Sequence, residues 1–296
     1  MDNVFCTVFT PTYNRKDTIY DLYDSLRKQS NKDFEWIIVD DGSTDKTEEV
    51  INDIRKNEQT FSITYVKQEN GGKHRAINKG LDHAKGKMFF IVDSDDTLTY
   101  DAIELIKHFV DSLNNTDEPI AAVAGLRMGK DGYVIGGAPI NEYIDCANSL
   151  RKQYDLLGDK AEVYFTNVLK QYRFPTFEGE TFLTECIVWN KIADDGYKIR
   201  WFNKSIYICE YQEAGLTNNL EMLKKNNPKG YLLNIKTDMM YLKLNTIQRL
   251  GYIYGYYFIV KDIKGKKEIS TELEVNILEL YLAIIAKKIK NYLKGQ

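Results

Sequence analysis

Met88–Asp96 reads MFFIVDSDD, five apolar residues followed at once by three carboxylates in four positions. A short apolar run that ends abruptly in polar residues has the signature of a buried strand and its turn. Asp93, Asp95 and Asp96 would repel one another unless something positive sits among them. Hard oxygen ligands suit Mg²⁺ or Mn²⁺, which use one or two carboxylates together with the phosphates of a substrate. The residues alone allow a second reading, an acidic turn in which Asp96 starts the following helix.

Upstream, the same grammar repeats. Val4–Thr10 is a β-rich run ending at Pro11, and Lys16–Gln29 follows with helical spacing at Ile19, Leu22, Tyr23 and Leu26. Phe34–Val39 predicts a second strand, closed by Asp40-Asp41-Gly42-Ser43, before a helix carrying Val50, Ile51 and Ile54 on one face. A third strand at Phe61–Val66, a third helix at Lys73–Ala84 and a fourth helix at Asp101–Leu113 complete the pattern. Strands alternating with helices imply an α/β fold with a doubly wound, mostly parallel sheet. Ligands of such sheets bind beyond the carboxyl ends of the strands, where the polar clusters fall. After residue 118 the pattern is mixed, with strands expected near 120–128, 132–136, 197–201 and 206–210 and helices near 166–172 and 182–194. From 219 onward it is helical, with one long helix over Thr271–Leu293.

Four motifs stand at the strand–helix junctions: TPTYNR (Thr10–Arg15), VDDGSTD (Val39–Asp45), NGGKHRAINKG (Asn70–Gly80) and IVDSDD (Ile91–Asp96). In this order they resemble the GT-A glycosyltransferases of family 2, inverting enzymes of bacterial polysaccharide synthesis. The resemblance covers roughly residues 4–212. It implies that Asp93 and Asp95 bind the metal–diphosphate, with Ser94 and Asp96 alongside. It also implies that Thr10, Pro11, Tyr13, Arg15, Asp40 and Asp41 surround the nucleotide. Lys73 and Arg75 fit chemically, since a cation beside Gly71-Gly72 can reach a base carbonyl or a phosphate. Many relatives read ARN where this chain has Ala76-Ile77-Asn78, so Lys73 or Arg75 would have to stand in for that arginine.

Inverting transfer needs a carboxylate to take the acceptor hydroxyl's proton. Relatives carry it as an acidic pair opening a helix that contains a tryptophan. Here PTFEGETFLTECIVWNKIA (Pro175–Ala193) offers Glu178, Glu180 and Glu185. Alignment through Trp189 puts Glu185 at the family's position, while Phe177-Glu178-Gly179-Glu180 mimics the acidic pair and keeps Glu180 as the alternative. A histidine that relatives place beyond the second small strand is absent; Cys209–Glu213 stands in its place.

The bulk properties set limits. The 296 residues hold 40 basic and 43 acidic side chains, a balance unlike that of a general nucleic-acid binder. Residues 213–296 hold 14 Lys/Arg against 8 Asp/Glu, so the acidity belongs to the N-terminal part. Cys6, Cys146, Cys186 and Cys209 have no metal-site spacing and read as buried free thiols of a reducing compartment. No signal peptide and no apolar run of ~20 residues is evident, so a cytoplasmic protein is expected. The apolar stripe and lysines near the C-terminus suit an ordinary helical subdomain or a contact with the inner membrane face.

These observations divide the chain into a GT-A catalytic domain, 1–215, and a helical C-terminal region, 216–296. The expected activity is transfer of a sugar, with inversion, from a UDP-sugar to a glycan or lipid-linked saccharide, assisted by Mn²⁺ or Mg²⁺. A metal-dependent nucleotidyltransferase is the rival enzyme, though TPTYNR is not its Gly-rich, arginine-containing loop. A non-catalytic nucleotide-sugar binder is the third reading.

Overall fold

Four parallel strands form the half of the sheet that carries the motifs. They are β1 (Cys6–Thr12), β2 (Phe34–Asp40), β3 (Ile63–Lys67) and β4 (Met88–Ile91), ordered β3-β2-β1-β4. The computed structural model describes residues 4–209 and 220–294. Every residue of β2 is buried, as expected of a strand covered on both faces. On one face Val8, Trp36, Ile38 and Phe90 pack with α1 (Ile19–Arg27), α2 (Thr47–Asn57) and α4 (Ala102–Asp111) in one apolar cluster. Toward the other face Phe9 stacks on Phe89 at 5.2 Å. There α3 (Lys73–His83) comes so near that a Cβ on Gly80 would lie 2.3 Å from the Phe9 ring. Glycine at 80 is therefore what lets α3 approach β1.

The register lines up the strand ends. Thr12 pairs with Asp40, Asp40 with Lys67, and Phe9 with Ile91, so Asp93 follows two residues beyond the pairing. Beyond β4 the sheet becomes mixed. The added strands are β5 (Thr97–Leu98), β6 (Ile120–Gly129), β7 (Tyr143–Cys146), β8 (Lys160–Phe165) and β9 (Lys198–Cys209). β8 runs antiparallel to both β4 and β6, β9 runs parallel to β6, and β5 and β7 join β9 antiparallel.

Three expectations are corrected here. The strands expected near 197–201 and 206–210 are one twelve-residue strand, β9, whose pairing with β6 shifts register three times. The strand expected near 132–136 reduces to a single bridge between Met128 and Val134. The long helix expected over Thr271–Leu293 is broken. Glu274 adopts a left-handed conformation (φ 56°), and the Val275 amide turns back to the Ser270 carbonyl.

Contacts divide the chain into two units, not by a single cut. Residues up to Pro175 and the segment from Ile192 through β9 make the first unit; Thr176–Lys191 and the C-terminal helices make the second. The first unit also holds α5 (Thr166–Leu169), while α6 (Cys186–Asp194) runs across the division. The boundary drawn at 215/216 falls outside the described residues. The second unit is built from α7 (Leu220–Asn226), α8 (Pro228–Tyr241), α9 (Thr246–Val260), α10 (Lys266–Leu273) and α11 (Ile277–Lys294). Its own core joins Ile235, Ile253, Tyr256, Val260, Ile269 and Leu280. A capping box between Asn245 and Gln248 starts α9. Among the described residues no helix is long and apolar enough to cross a membrane.

Candidate active site

The loops after β1 and β2 are sewn together by side chain–backbone bonds. The Asp41 amide donates to the Thr12 carbonyl at 2.8 Å. Asn14, with φ 53°, accepts from the Thr44 amide at 2.8 Å, while its own amide donates to Ser43 Oγ. Asn tolerates this left-handed conformation better than most residues. The hydroxyl of Thr10 accepts from the Trp36 indole, and Tyr13 is left exposed.

Asp40 and Asp41, both expected near the nucleotide, are spent largely on this frame. Asp40 is fully buried, and its oxygens accept from the Ser43 amide and the Tyr65 hydroxyl, each at 2.7 Å. Asp41 accepts from the Gly71 and Gly72 amides at 2.9 and 2.7 Å and from Gln68. It thereby shapes the glycine loop that delivers Lys73 at the start of α3. Gly72 takes φ 92°, a value glycine alone adopts without strain.

Lys73 and Arg15 are brought to the acidic turn. Lys73 Nζ lies 2.7 Å from Asp93 Oδ1, and Arg15 Nη2 lies 3.5 Å from Asp95 Oδ2. Arg75 donates to the Gly71 carbonyl at 2.7 Å. Asn78 bridges to the Phe174 backbone in both directions, which explains an asparagine at that point of the third motif. Ser94 is buried within the acidic turn.

Two residues of the site were invisible in the motifs. Tyr207, on β9, accepts from the Asp93 amide at 3.0 Å and donates to Asp96 Oδ2 at 2.8 Å. Arg127, on β6, places its guanidinium 4.2 Å from the centre of the Tyr207 ring. Thr12 adds a buried hydroxyl at the end of β1 for which no hydrogen-bond partner stands among the described residues.

The electrostatics follow from these neighbours. Burial pushes the Asp93 carboxyl up, but Lys73, Arg127 and Arg15 together hold it below its usual range. Asp95 is raised by burial and by the charge of Asp93, which Arg15 does not fully offset. Asp93 and Asp95 thus face cations from three separate parts of the chain. No group of three or more His, Cys, Asp or Glu side chains among the described residues is arranged to hold a metal ion by itself.

The two candidate bases differ in their surroundings. Glu180 is buried, and its carboxylate accepts from the Lys229 and Gly230 amides at 2.8 Å each, capping α8. Glu185 is half-buried at the start of α6, where its carbonyl accepts from Val188 and Trp189. Glu178 lies in the turn ahead of them. Glu210–Glu213, where relatives carry a histidine, lies outside the described residues.

The sheet, its order and the acidic turn after β4 define a GT-A nucleotide-sugar fold. Residues 7–129 match the model of the Glycosyl transferase family 2. It is 39% identical over 98 residues to the putative teichuronic acid biosynthesis glycosyltransferase TuaG of Bacillus subtilis, which covers 33% of this chain and 38% of TuaG. The chain spans about a third of the length of the curated relatives it matches first. In structure it is similar to residues 1–349 of Staphylococcus aureus TarS in complex with UDP-GlcNAc. That likeness has a TM-score of 0.63 and 20% identity, covering 99% of this chain and 92% of the other. It is also similar to the mannosyltransferase PcManGT from Pyrobaculum calidifontis with GDP-Man and Mn²⁺. Here the TM-score is 0.57 at 16% identity, over 95% and 86% of the two chains.

Proposed function

We propose that the chain is an inverting glycosyltransferase that moves a hexose or N-acetylhexosamine from a UDP-sugar to a saccharide or lipid-linked saccharide acceptor in surface-polysaccharide synthesis. The observation that carries this reading is the turn Asp93–Asp96, where carboxylates and cations interleave at the ends of parallel strands. The TuaG relative and the nucleotide-sugar complexes of TarS and PcManGT support it.

The donor set fits a divalent cation. Burial first, and then the charge of Asp93, keep the Asp95 carboxyl raised despite Arg15, and a divalent cation would offset the second of these. Mg²⁺ or Mn²⁺ takes one or two carboxylates and completes its shell with phosphate oxygens, so Asp93 and Asp95 suffice. When bound, the metal would neutralise charge on the departing diphosphate.

The protein's own groups do the rest. Lys73 and Arg15 present positive charge to the diphosphate, at the point where the leaving group gains negative charge. Asp40 and Asp41 act through the backbone, holding the two loops in which the Thr10–Tyr13 segment and Gly71-Gly72 meet the nucleotide. The acceptor oxygen attacks the anomeric carbon as the bond to the diphosphate breaks, and the acceptor's proton passes to a carboxylate. Glu185 receives it, because Glu180 already caps a helix.

Incubation with UDP-glucose, UDP-galactose and their N-acetyl forms, with Mn²⁺ or with EDTA and no acceptor, tests this. Metal-dependent release of UDP from one donor is expected; a chain that binds none of them and releases no UDP is not this enzyme.

A further inference from the structure

Helix α11 has two apolar faces, where an ordinary surface helix has one. Leu280, Ala283 and Ile284 are buried in the core of the helical unit. Leu278, Tyr281, Leu282, Ile285, Ile289 and Tyr292 face outward, with exposure running from 45% at Tyr281 to 70% at Tyr292. At 3.6 residues per turn these six fall within a band of about 100°, roughly 21 Å long. No polar residue of the helix enters that band. Continuous exposed apolar surface of this kind marks a contact with something else.

Charge decides with what. Lys288 lies at one border of the band and Lys290 beyond the other, both exposed. The helix's one acidic residue, Glu279, is paired with Arg249 at 2.6 Å, so the surplus charge along α11 is positive. The 4-3-4-3 spacing of Leu278, Leu282, Ile285, Ile289 and Tyr292 would also suit a helix pair. A second copy, however, would bring lysine flanks together, and the one carboxylate of α11, Glu279, is already paired with Arg249. An anionic surface meets both the apolar band and the lysines.

We propose that the outward face of α11 docks the protein on an anionic phospholipid surface, with the helix lying in the headgroup region. Ile285 and Ile289 enter the apolar boundary, and Lys288 and Lys290 reach lipid phosphates by their flexible stems. This contact does not depend on the donor chemistry, and it can be measured without any nucleotide sugar.

The test is flotation of the full chain with vesicles of phosphatidylcholine alone or a three-to-one mixture with phosphatidylglycerol. Binding to the mixed vesicles, weakening as salt rises, is expected. The double variant Ile285→Ser, Ile289→Ser should lose at least about tenfold in partitioning. Lys288→Gln and Lys290→Gln should each lose up to about fivefold, with melting temperature unchanged because all four side chains are exposed. The proposal is overturned if the chain stays with the protein fraction, if it floats equally with both vesicles, or if the variants float as the wild type does. It is overturned as well if the chain is a dimer in solution that the Ile285→Ser, Ile289→Ser variant turns into a monomer.

Discussion

The hydroxyl of Tyr207 stands between the Asp93 amide and the Asp96 carboxylate, at 3.0 and 2.8 Å, and so closes the acidic turn from a strand over a hundred residues away. Its ring is buried and carries Arg127 on one face. Burial and the charge of Asp93 push the phenol far above its ordinary pKa, so it remains a donor at any working pH. Tyr207→Phe should leave a buried amide and a carboxylate short of a partner, at a cost of about 1–3 kcal/mol. A lower denaturant midpoint with an unchanged slope, together with weaker UDP binding, would show it. Unchanged stability and unchanged binding would mean the turn holds itself.

Metal and nucleotide should be linked. Lys73 and Arg15 meet Asp93 and Asp95, yet burial and the charge of Asp93 keep the Asp95 carboxyl raised, so the turn should favour a diphosphate that arrives with a cation. UDP at ~100 times its Kd with Mn²⁺ should add about 2.7 kcal/mol of stability, and little with EDTA. Asp95→Ala should remove most of that difference and abolish turnover. Because the Asp95 carboxyl is raised, it protonates at a higher pH than an ordinary aspartate as pH falls. Metal-dependent UDP binding should therefore fade before ordinary carboxylates titrate. Equal thermal shifts with and without EDTA would remove the metal from the account.

The parallel half of the sheet was legible because strands covered on both faces are apolar throughout and end at polar turns. Lys73 was legible for a similar reason: it follows two glycines at a helix start. Tyr207 and Arg127 were not, since their positions depend on how β6 and β9 register against each other across three shifts. Strand ends also located Asp40 and Asp41 without revealing that their oxygens are taken by nearby donors. The break at Glu274 escaped for want of a glycine, because a glutamate in the left-handed region leaves no mark in composition. Glu180 looked like one member of an acidic pair, whereas its partners are amides of α8, fifty residues on.

Asp238 gives the helical unit a pH dependence of its own. It is buried among Asn190, Asn234 and Tyr252, with Tyr231 and Cys186 nearby, and burial raises its pKa to about 6 despite their hydrogen bonds. A carboxyl raised on folding stabilises the folded form at low pH, and that contribution is lost as pH climbs from about 4 to about 6. Above that range the charged group imposes a constant cost of up to ~3 kcal/mol, since each pH unit between the unfolded and folded values is worth about 1.4 kcal/mol. Asp238→Asn should therefore match the wild type near pH 4 and melt higher than it at pH 7.5. A variant with the same offset at both pH values would show that Asp238 does not titrate in this range.

The base is decided by comparing Glu185→Gln with Glu180→Gln, since the two carboxylates have different partners. Glu180 accepts from two amides at the start of α8, and a neutral amide there can replace only part of that interaction. Glu180→Gln should cost about 0.5–2 kcal/mol of stability and leave turnover near normal at a permissive temperature. Glu185 is half-buried, and its carboxylate is not the one that caps α8. Glu185→Gln keeps the shape and removes the proton acceptor, so donor binding and melting should hold while transfer falls ~10²–10⁴-fold. UDP release without acceptor separates the two steps further, because water can lose its proton to solvent where a sugar hydroxyl needs a positioned base. Glu185→Gln should then depress transfer more than hydrolysis. If Glu180→Gln alone abolishes transfer and Glu185→Gln remains active, the alignment through Trp189 is displaced by five residues and the cap of α8 is also the base.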